Sequence, residues 1–158
     1  MTTSQKVFMQ MAIDLSQEGM KAGKGGPFGC VIVKNGVVVG KGCNSVSSSN
    51  DPTAHAEIMA IKDACKNLGS FQLEGCEIYT SCEPCPMCLG AIYWARPDRV
   101  FYANDKGDAA EAGFDDAFIY QELSVPLENR KIPMKQLLRN NAKKIFQEWI
   151  SKEDKTLY

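Results

Sequence analysis

The chain has one histidine, His55, and it stands two residues before Glu57. Further along, Ser81-Cys82-Glu83-Pro84-Cys85-Pro86-Met87-Cys88 gathers three cysteines and two prolines into eight residues. These two stretches constrain the fold more than any others. Cys85 and Cys88 are three apart, and on the first turn of a helix that spacing points both sulfurs the same way. Pro84 and Pro86 suit a helix start, where the first residues have no use for their N–H donors. The partial positive charge of a helix N-terminus also favours thiolates. The pair is half of a zinc site, and His55 is the one imidazole able to extend it. Any fold of this chain is expected to bring the two stretches together.

Two kinds of zinc site use such ligands. A structural site is closed by four protein ligands, and Cys82 could stand beside His55, Cys85 and Cys88 as the fourth. A catalytic site keeps three protein ligands and leaves the fourth position to water. Glu57 favours the second. Two residues after the histidine, it can reach over the metal and move protons between that water and a substrate. A site serving only the fold has no need of it.

The length of 158 residues fits one domain with a proper core. Formal charge is −1, and the lysines are scattered with only short pairs such as Lys143-Lys144. A nucleic-acid binder would show a basic face, so duplex or tRNA binding is disfavoured. Seven cysteines make an odd number. Met1-Thr2-Thr3-Ser4 leads straight into a helical pattern rather than a signal peptide, and no apolar run is long enough to span a membrane. The thiols then imply a reducing compartment, and cytoplasmic localisation is expected. Cys30, Cys43, Cys65 and Cys76 sit among apolar neighbours and read as small buried hydrophobes. Cys82 either packs beneath the metal or hydrogen-bonds near it.

Ser4 to Ala22 reads as an amphipathic helix, with Val7, Phe8, Met11, Ala12 and Leu15 inward and Ser4 as its cap. Gly25-Gly26-Pro27-Phe28-Gly29 is a glycine-rich entry to a strand, without the Gly-Lys-Ser/Thr ending of a phosphate loop. Phe28 by itself reads as a core aromatic, or as a platform for a planar base. Cys30–Lys34 and Val37–Cys43 are strands joined by Asn35-Gly36, a strong hairpin signal. Asn44 follows, able to serve a ligand with both donor and acceptor or to make a local turn. Thr53 to Leu68 reads as a helix with His55 and Glu57 in its first turn. Glu77–Thr80 is a strand that runs into the cysteine helix, which ends at Ala95. Each half of the metal site is thus expected at a helix N-terminus beside the sheet.

Arg99–Ala103 is a further strand, and Asn104–Gly113 is loop-like with a short helical run. Phe114-Asp115-Asp116-Ala117-Phe118 sets two acids between aromatics. They serve either a helix start or a site. Met134 to Lys152 reads as a final helix, with Leu137, Leu138, Ile145, Phe146, Trp149 and Ile150 on its apolar side. The connection from Ser124 to Lys131 is long enough to carry that helix to a neighbouring subunit. The alternation predicts a three-layer α/β/α sandwich around a five-stranded mixed sheet.

His55-Ala56-Glu57 and Pro84-Cys85-Pro86-Met87-Cys88 match every specified position of H-x-E…P-C-x-x-C, the signature of zinc-dependent base deaminases. With the order of the elements, they resemble the cytidine deaminase-like superfamily. Gly25–Gly29, Asn50–Glu57, Tyr79–Cys88, Gly90–Arg96 and Glu111–Asp116 are similar, within it, to the bacterial guanine-deaminating branch, over nearly the whole chain. The catalytic motifs are shared with cytosine and tRNA adenosine deaminases; Gly113-Phe114-Asp115-Asp116 is what favours guanine.

The resemblance implies one deaminase domain over residues 1–158, hydrolysing guanine to xanthine and ammonia. It implies one Zn²⁺ per subunit on His55, Cys85 and Cys88, a water in the fourth position, and Glu57 as proton shuttle. Asp116 is implied as base reader or second shuttle, Phe28 as stacking ring, Asn44 and the Ala56 backbone as hydrogen-bonding groups, and Trp94 as a wall. A homodimer is implied, its C-terminal part (about 133–158) exchanged between subunits so that Tyr158 covers the partner's site. Neither a membrane nor a nucleic acid is expected as partner. Open alternatives are another base or nucleoside (guanosine, cytosine, tRNA adenosine) or a zinc-stabilised binding module without chemistry.

Overall fold

The structure is a computed structural model that describes residues 2–158. Residues up to Asp116 make one compact unit and Ala117–Tyr158 a second.

The first unit opens with helix α1, Thr3–Lys21. Its cap is Thr2, not Ser4: the Thr2 hydroxyl accepts from the Gln5 N–H while the Gln5 side chain accepts from the Thr2 N–H. That reciprocal pair satisfies two donors that a helix start leaves without partners. Strands β1 (Gly29–Lys34) and β2 (Val37–Cys43) follow as an antiparallel hairpin. Asn35 and Gly36 both have positive φ, 52° and 77°, as a tight two-residue turn requires. A single helical turn, α2 (Val46–Ser49), replaces part of the expected polar loop.

Helix α3, Ala56–Leu68, begins directly after His55, which is its cap residue. Strand β3 is Cys76–Cys82, longer at both ends than its apolar pattern indicates. Helix α4, Pro86–Ala95, begins directly after Cys85 and has Pro86 at its first position. Strand β4 is Arg99–Asn104, and helix α5 is Lys106–Glu111.

The sheet order is β2-β1-β3-β4, with β1 antiparallel to both β2 and β3 and β4 parallel to β3. Among the described residues the sheet has four strands, so the expected fifth has no counterpart there. After β4 the chain turns into α5, where Asp105 caps the helix with its carboxylate. The mixed character and the layering are as expected. Alternate residues of β1 face opposite cores: Cys30 and Ile32 join Ala56, Ala60, Ile78 and Ile92, while Val31 and Val33 join Ala12 and Tyr79. Helices α3 and α4 therefore cover one face and α1 the other. Of the predicted α1 stripe, Phe8, Met11, Ala12 and Leu15 face in, but Val7 is 54% exposed. None of the described helices is long and apolar enough to cross a membrane.

The approach of α3 to β2 is closer than side chains normally permit. A Cβ on Gly42 would lie 2.3 Å from the Ala56 carbonyl oxygen and 2.5 Å from the Ala60 nitrogen. A Cβ on Gly40 would lie 2.6 Å from the Ala60 carbonyl oxygen. Ala56, Ala60 and Ala64 recur at helical spacing on the face that meets these glycines, and all three are fully buried.

The second unit holds α6 (Ala117–Ser124), a short 3₁₀ turn (Leu127–Asn129) and α7 (Arg139–Ser151). The final helix is shorter than the predicted Met134–Lys152. Leu138 adopts the left-handed conformation, φ 50°, so residues before it cannot continue the helix. The predicted inward face of α7 is exposed, with Phe146 at 72%.

Gly42→Ala is expected to destabilise the protein by about 3 kcal/mol, because the new methyl must displace helix backbone. Val37→Ala, at the exposed end of the same strand, is expected to cost less than about 1 kcal/mol. Urea denaturation of both variants checks this.

Candidate active site

Two helix starts meet at the carboxyl end of β3. His55 precedes α3 in extended backbone, φ −69° and ψ 157°, and Cys85 precedes α4 in the same way, φ −64° and ψ 167°. Neither side chain caps its helix. Both are therefore free to turn toward each other. His55 Nδ1 lies 3.6 Å from Cys85 Sγ and 3.5 Å from Cys88 Sγ. The three ligand atoms lie within 4.8 Å of one another. A tetrahedral zinc, with bonds of about 2.3 Å to sulfur and about 2.0–2.1 Å to nitrogen, sets S···N edges near 3.5 Å. The donor set and its edges fit zinc.

Cys82 is not part of this group. Its thiol donates to the Asp105 carbonyl at 3.7 Å, and burial pushes it up to about 11. It stays protonated and lines the cavity as a neutral group. The second of its two expected roles, a hydrogen bond near the metal, is the one found.

The neighbouring Cys88 thiol draws Cys85 down to about 4, against the opposing effect of burial, and His55 adds to the lowering. Cys88 is raised in turn, first by Cys85 and then by burial, and its thiol donates to Glu57 Oε2 at 3.5 Å. The bond to Cys85 raises His55.

Glu57, in the first turn of α3, is 6% exposed. Burial raises its pKa, and Cys88 Sγ lies 3.5 Å from its Oε2. A buried carboxylate beside the ligand cluster is placed to exchange protons there.

A cavity of about 340 Å³ opens over this corner, within the usual range for a small-molecule site. It is lined by His55, Glu57 and Cys85, and also by Phe28, Asn44 and Asp116. Burial, the Cys85 charge, and the neighbouring Asp115 and Glu83 all raise the Asp116 pKa. Ala56 is wholly buried, and as the first residue of α3 its N–H has no partner within the helix. The residues predicted from both motifs are thus brought to one place. Trp94, on α4, is 65% exposed and does not line the cavity. Tyr158 belongs to the second unit.

Phe114 was not among the predicted site residues, yet it lines the cavity and meets Phe28 edge-on, rings 4.9 Å apart at 85°. Its place beside Asp115-Asp116 was the available signal. Lys106, at the start of α5, and Glu83 also line the cavity, and Glu83 accepts from the Lys106 N–H at 3.2 Å. Neither carries a local signature.

Residues 2–104 match the family model for the cytidine and deoxycytidylate deaminase zinc-binding region. The chain is 56% identical over 153 residues to a guanine deaminase of Bacillus subtilis, covering 97% of this chain and 98% of that one. It is 34% identical to a tRNA-specific adenosine deaminase of Aquifex aeolicus, covering 92% and 93%. The X-ray structure of guanine deaminase from Bacillus subtilis superposes with a TM-score of 0.95 at 55% identity, covering 100% of this chain and 99% of that one.

Cys82→Ala is expected to keep about one zinc per chain, whereas Cys88→Ala is expected to retain less than a tenth of that. Elemental analysis of the purified variants decides. Zinc lost equally from both would make Cys82 a ligand.

Proposed function

The chain belongs to the cytidine and deoxycytidylate deaminase zinc-binding family, and we propose that it is a guanine deaminase, hydrolysing guanine to xanthine and ammonia. One observation carries this: the His55-Cys85-Cys88 cluster, the Glu57 carboxylate and the side chains of Phe28, Asn44 and Asp116 border a single cavity of small-molecule size. The guanine deaminase likeness over nearly the whole chain supports the choice of base.

Bound zinc, held by His55, Cys85 and Cys88, would lower the pKa of a water toward neutrality and so supply the nucleophile. Glu57 takes the proton and delivers it to the ring nitrogen beside the carbon that bears the 2-amino group. Its burial serves this role, since a carboxylate raised toward neutrality both accepts and returns a proton readily. The second proton, on the hydroxyl now attached to that carbon, passes through Glu57 or Asp116 to the amine, which leaves as ammonia as the carbon–oxygen double bond of xanthine forms. The chain has no second histidine, so carboxylates carry the proton traffic. Phe28 stacks on the base, with Phe114 fixing its ring from the side. The orphan Ala56 N–H and the Asn44 amide hold the polar edge.

Asp116 also accounts for preference among purines. Accepting from the hydrogen on ring nitrogen 9, it would lose that partner to a ribose. Asp116 is half-buried, and a nucleoside that covered it without offering a donor would cost about 1–3 kcal/mol, which favours free guanine over guanosine roughly tenfold or more. The near-neutral net charge of −1 fits a free base better than tRNA.

The enzyme is a homodimer in this reading, with residues from about 133 onward exchanged and Tyr158 closing the partner's cavity. Support comes from the second unit itself: α6 and α7 hold no buried residue, and Ile145, Phe146 and Ile150 on α7 are exposed. Such a face needs a cover. None of the seven cysteines is paired in a disulfide, which fits a reducing compartment, and we assign the enzyme to the cytoplasm.

Glu57→Gln is expected to keep zinc and lose at least about a thousandfold in ammonia release from guanine. A near-normal rate in that variant removes Glu57 from the mechanism. Chelator treatment of the parent abolishes release, and guanosine has a lower kcat/KM than guanine. Equal values would remove Asp116 as the reader of the ring N–H.

Exchange is tested by complementation. Glu57→Gln and Tyr158→Ala chains, each weak alone, are co-expressed. If Tyr158 serves the partner, mixed dimers hold one complete site and regain up to half of the parent rate per mixed dimer. No recovery means that Tyr158 serves its own chain or neither.

A further inference from the structure

The Asn44 side chain is held by its acceptor end. Its Oδ1 receives the N–H of Gly26 and the N–H of Val46, each at 3.2 Å. Both partners are donors, so the atom between them is the oxygen, and a flipped amide would set donor against donor. The Nδ2 end has no protein partner among the described residues. Asn44 is 6% exposed and borders the cavity that contains His55 and Glu57. The cavity is therefore met by a donor.

This arrangement needs Gly25. A Cβ on Gly25 would lie 2.1 Å from Asn44 Oδ1, 2.8 Å from the Asn44 carbonyl oxygen and 3.0 Å from its carbonyl carbon. The φ of Gly25 is not positive, so an alanine has no backbone objection there. Space alone excludes the side chain. Any residue but glycine must push the Asn44 oxygen off the two amides that hold it.

We infer that Gly25 is a positioning residue: it acts through Asn44, holding that amide so that its NH₂ faces the base. The inference rests on the reading of the cavity as a purine-base site. The base edge that meets this donor must carry an acceptor, an oxo oxygen or an unprotonated ring nitrogen.

A double-mutant cycle on the zinc-loaded, full-length enzyme tests it. Gly25→Ala, Asn44→Ala and the double variant are compared with the parent for kcat/KM on guanine, zinc content and thermal midpoint. Gly25→Ala and Asn44→Ala are each expected to lose roughly tenfold or more with zinc unchanged. Adding Gly25→Ala to Asn44→Ala is expected to cost clearly less than Gly25→Ala costs the parent, since the 2.1 Å side-chain overlap is gone and only the milder contact with the carbonyl of residue 44 remains. Additive losses, or a Gly25→Ala enzyme with parental kinetics, would overturn the inference. If Gly25→Ala alone fails to fold, the double variant decides: folding with the kinetics of Asn44→Ala supports the side-chain clash, and failure of both refutes it. A parent that releases no ammonia from guanine sinks the base assignment instead, and the parental arm shows this by itself.

Discussion

The site depends on how closely helix α3 lies against strand β2. Gly40 and Gly42 present bare backbone, and Ala56, Ala60 and Ala64 present single methyls. With so little between them, helix and strand have almost no freedom to slide or roll. The start of α3 carries both groups, His55 as the residue just before the helix and Glu57 in its first turn. A small roll of the helix would move the imidazole off the two sulfurs and swing the carboxylate out of the cavity. A packing constraint remote from any reacting atom thus sets positions that chemistry needs to within a fraction of an ångström.

The second half of the site is positioned differently. Strand β3 is tied to both neighbours: it pairs with β1 and β4, and Ser81 Oγ accepts the Gly29 N–H at 3.0 Å. The chain leaves that anchored strand and within a few residues starts α4, with Cys85 just outside the helix and Cys88 inside its first turn. Two helix starts therefore aim their partial positive charge at the same corner. That charge suits ligands which must be anionic to bind metal. Cys85 is drawn well below the ordinary thiol range, and a bound metal would hold Cys88 as a thiolate as well. Glu57, buried against Cys88, is the nearest carboxylate acceptor.

The parts legible in the sequence were those where one residue type does a job few others can. A lone histidine, a Cys-x-x-Cys pair after proline, and Asn-Gly between two strands each have a local physical signature. The structure has His55 with both sulfurs and the positive-φ turn at Asn35-Gly36. Parts decided by distant packing were less legible. Val7 fits the apolar stripe of α1 by spacing yet lies beyond the reach of the sheet. The pattern of the last helix ran on through Leu138, where a single left-handed residue breaks it. The expected fifth strand rested on the overall alternation of helices and strands, with no stretch of the chain to carry it. Lys106 gave no local indication of the cavity, because only the turn after β4 brings it there, whereas Phe114 was flagged only indirectly, by its place beside Asp115-Asp116.

Glycine is the residue for which sequence says least, and this chain shows why. Gly25 and Gly42 are not needed for their dihedral angles, since neither has positive φ. Each is needed for what would occupy the place of its missing Cβ: the Asn44 amide oxygen for one, the backbone of α3 for the other. A glycine-rich entry to a strand can equally be a flexible turn, a phosphate cradle or a slot for another group. Only the partner across the gap distinguishes them. Here the partner of Gly25 is a side chain on the cavity wall, so the slot belongs to the site. The partner of Gly42 is the helix that carries His55 and Glu57, so that glycine supports the same site at one remove.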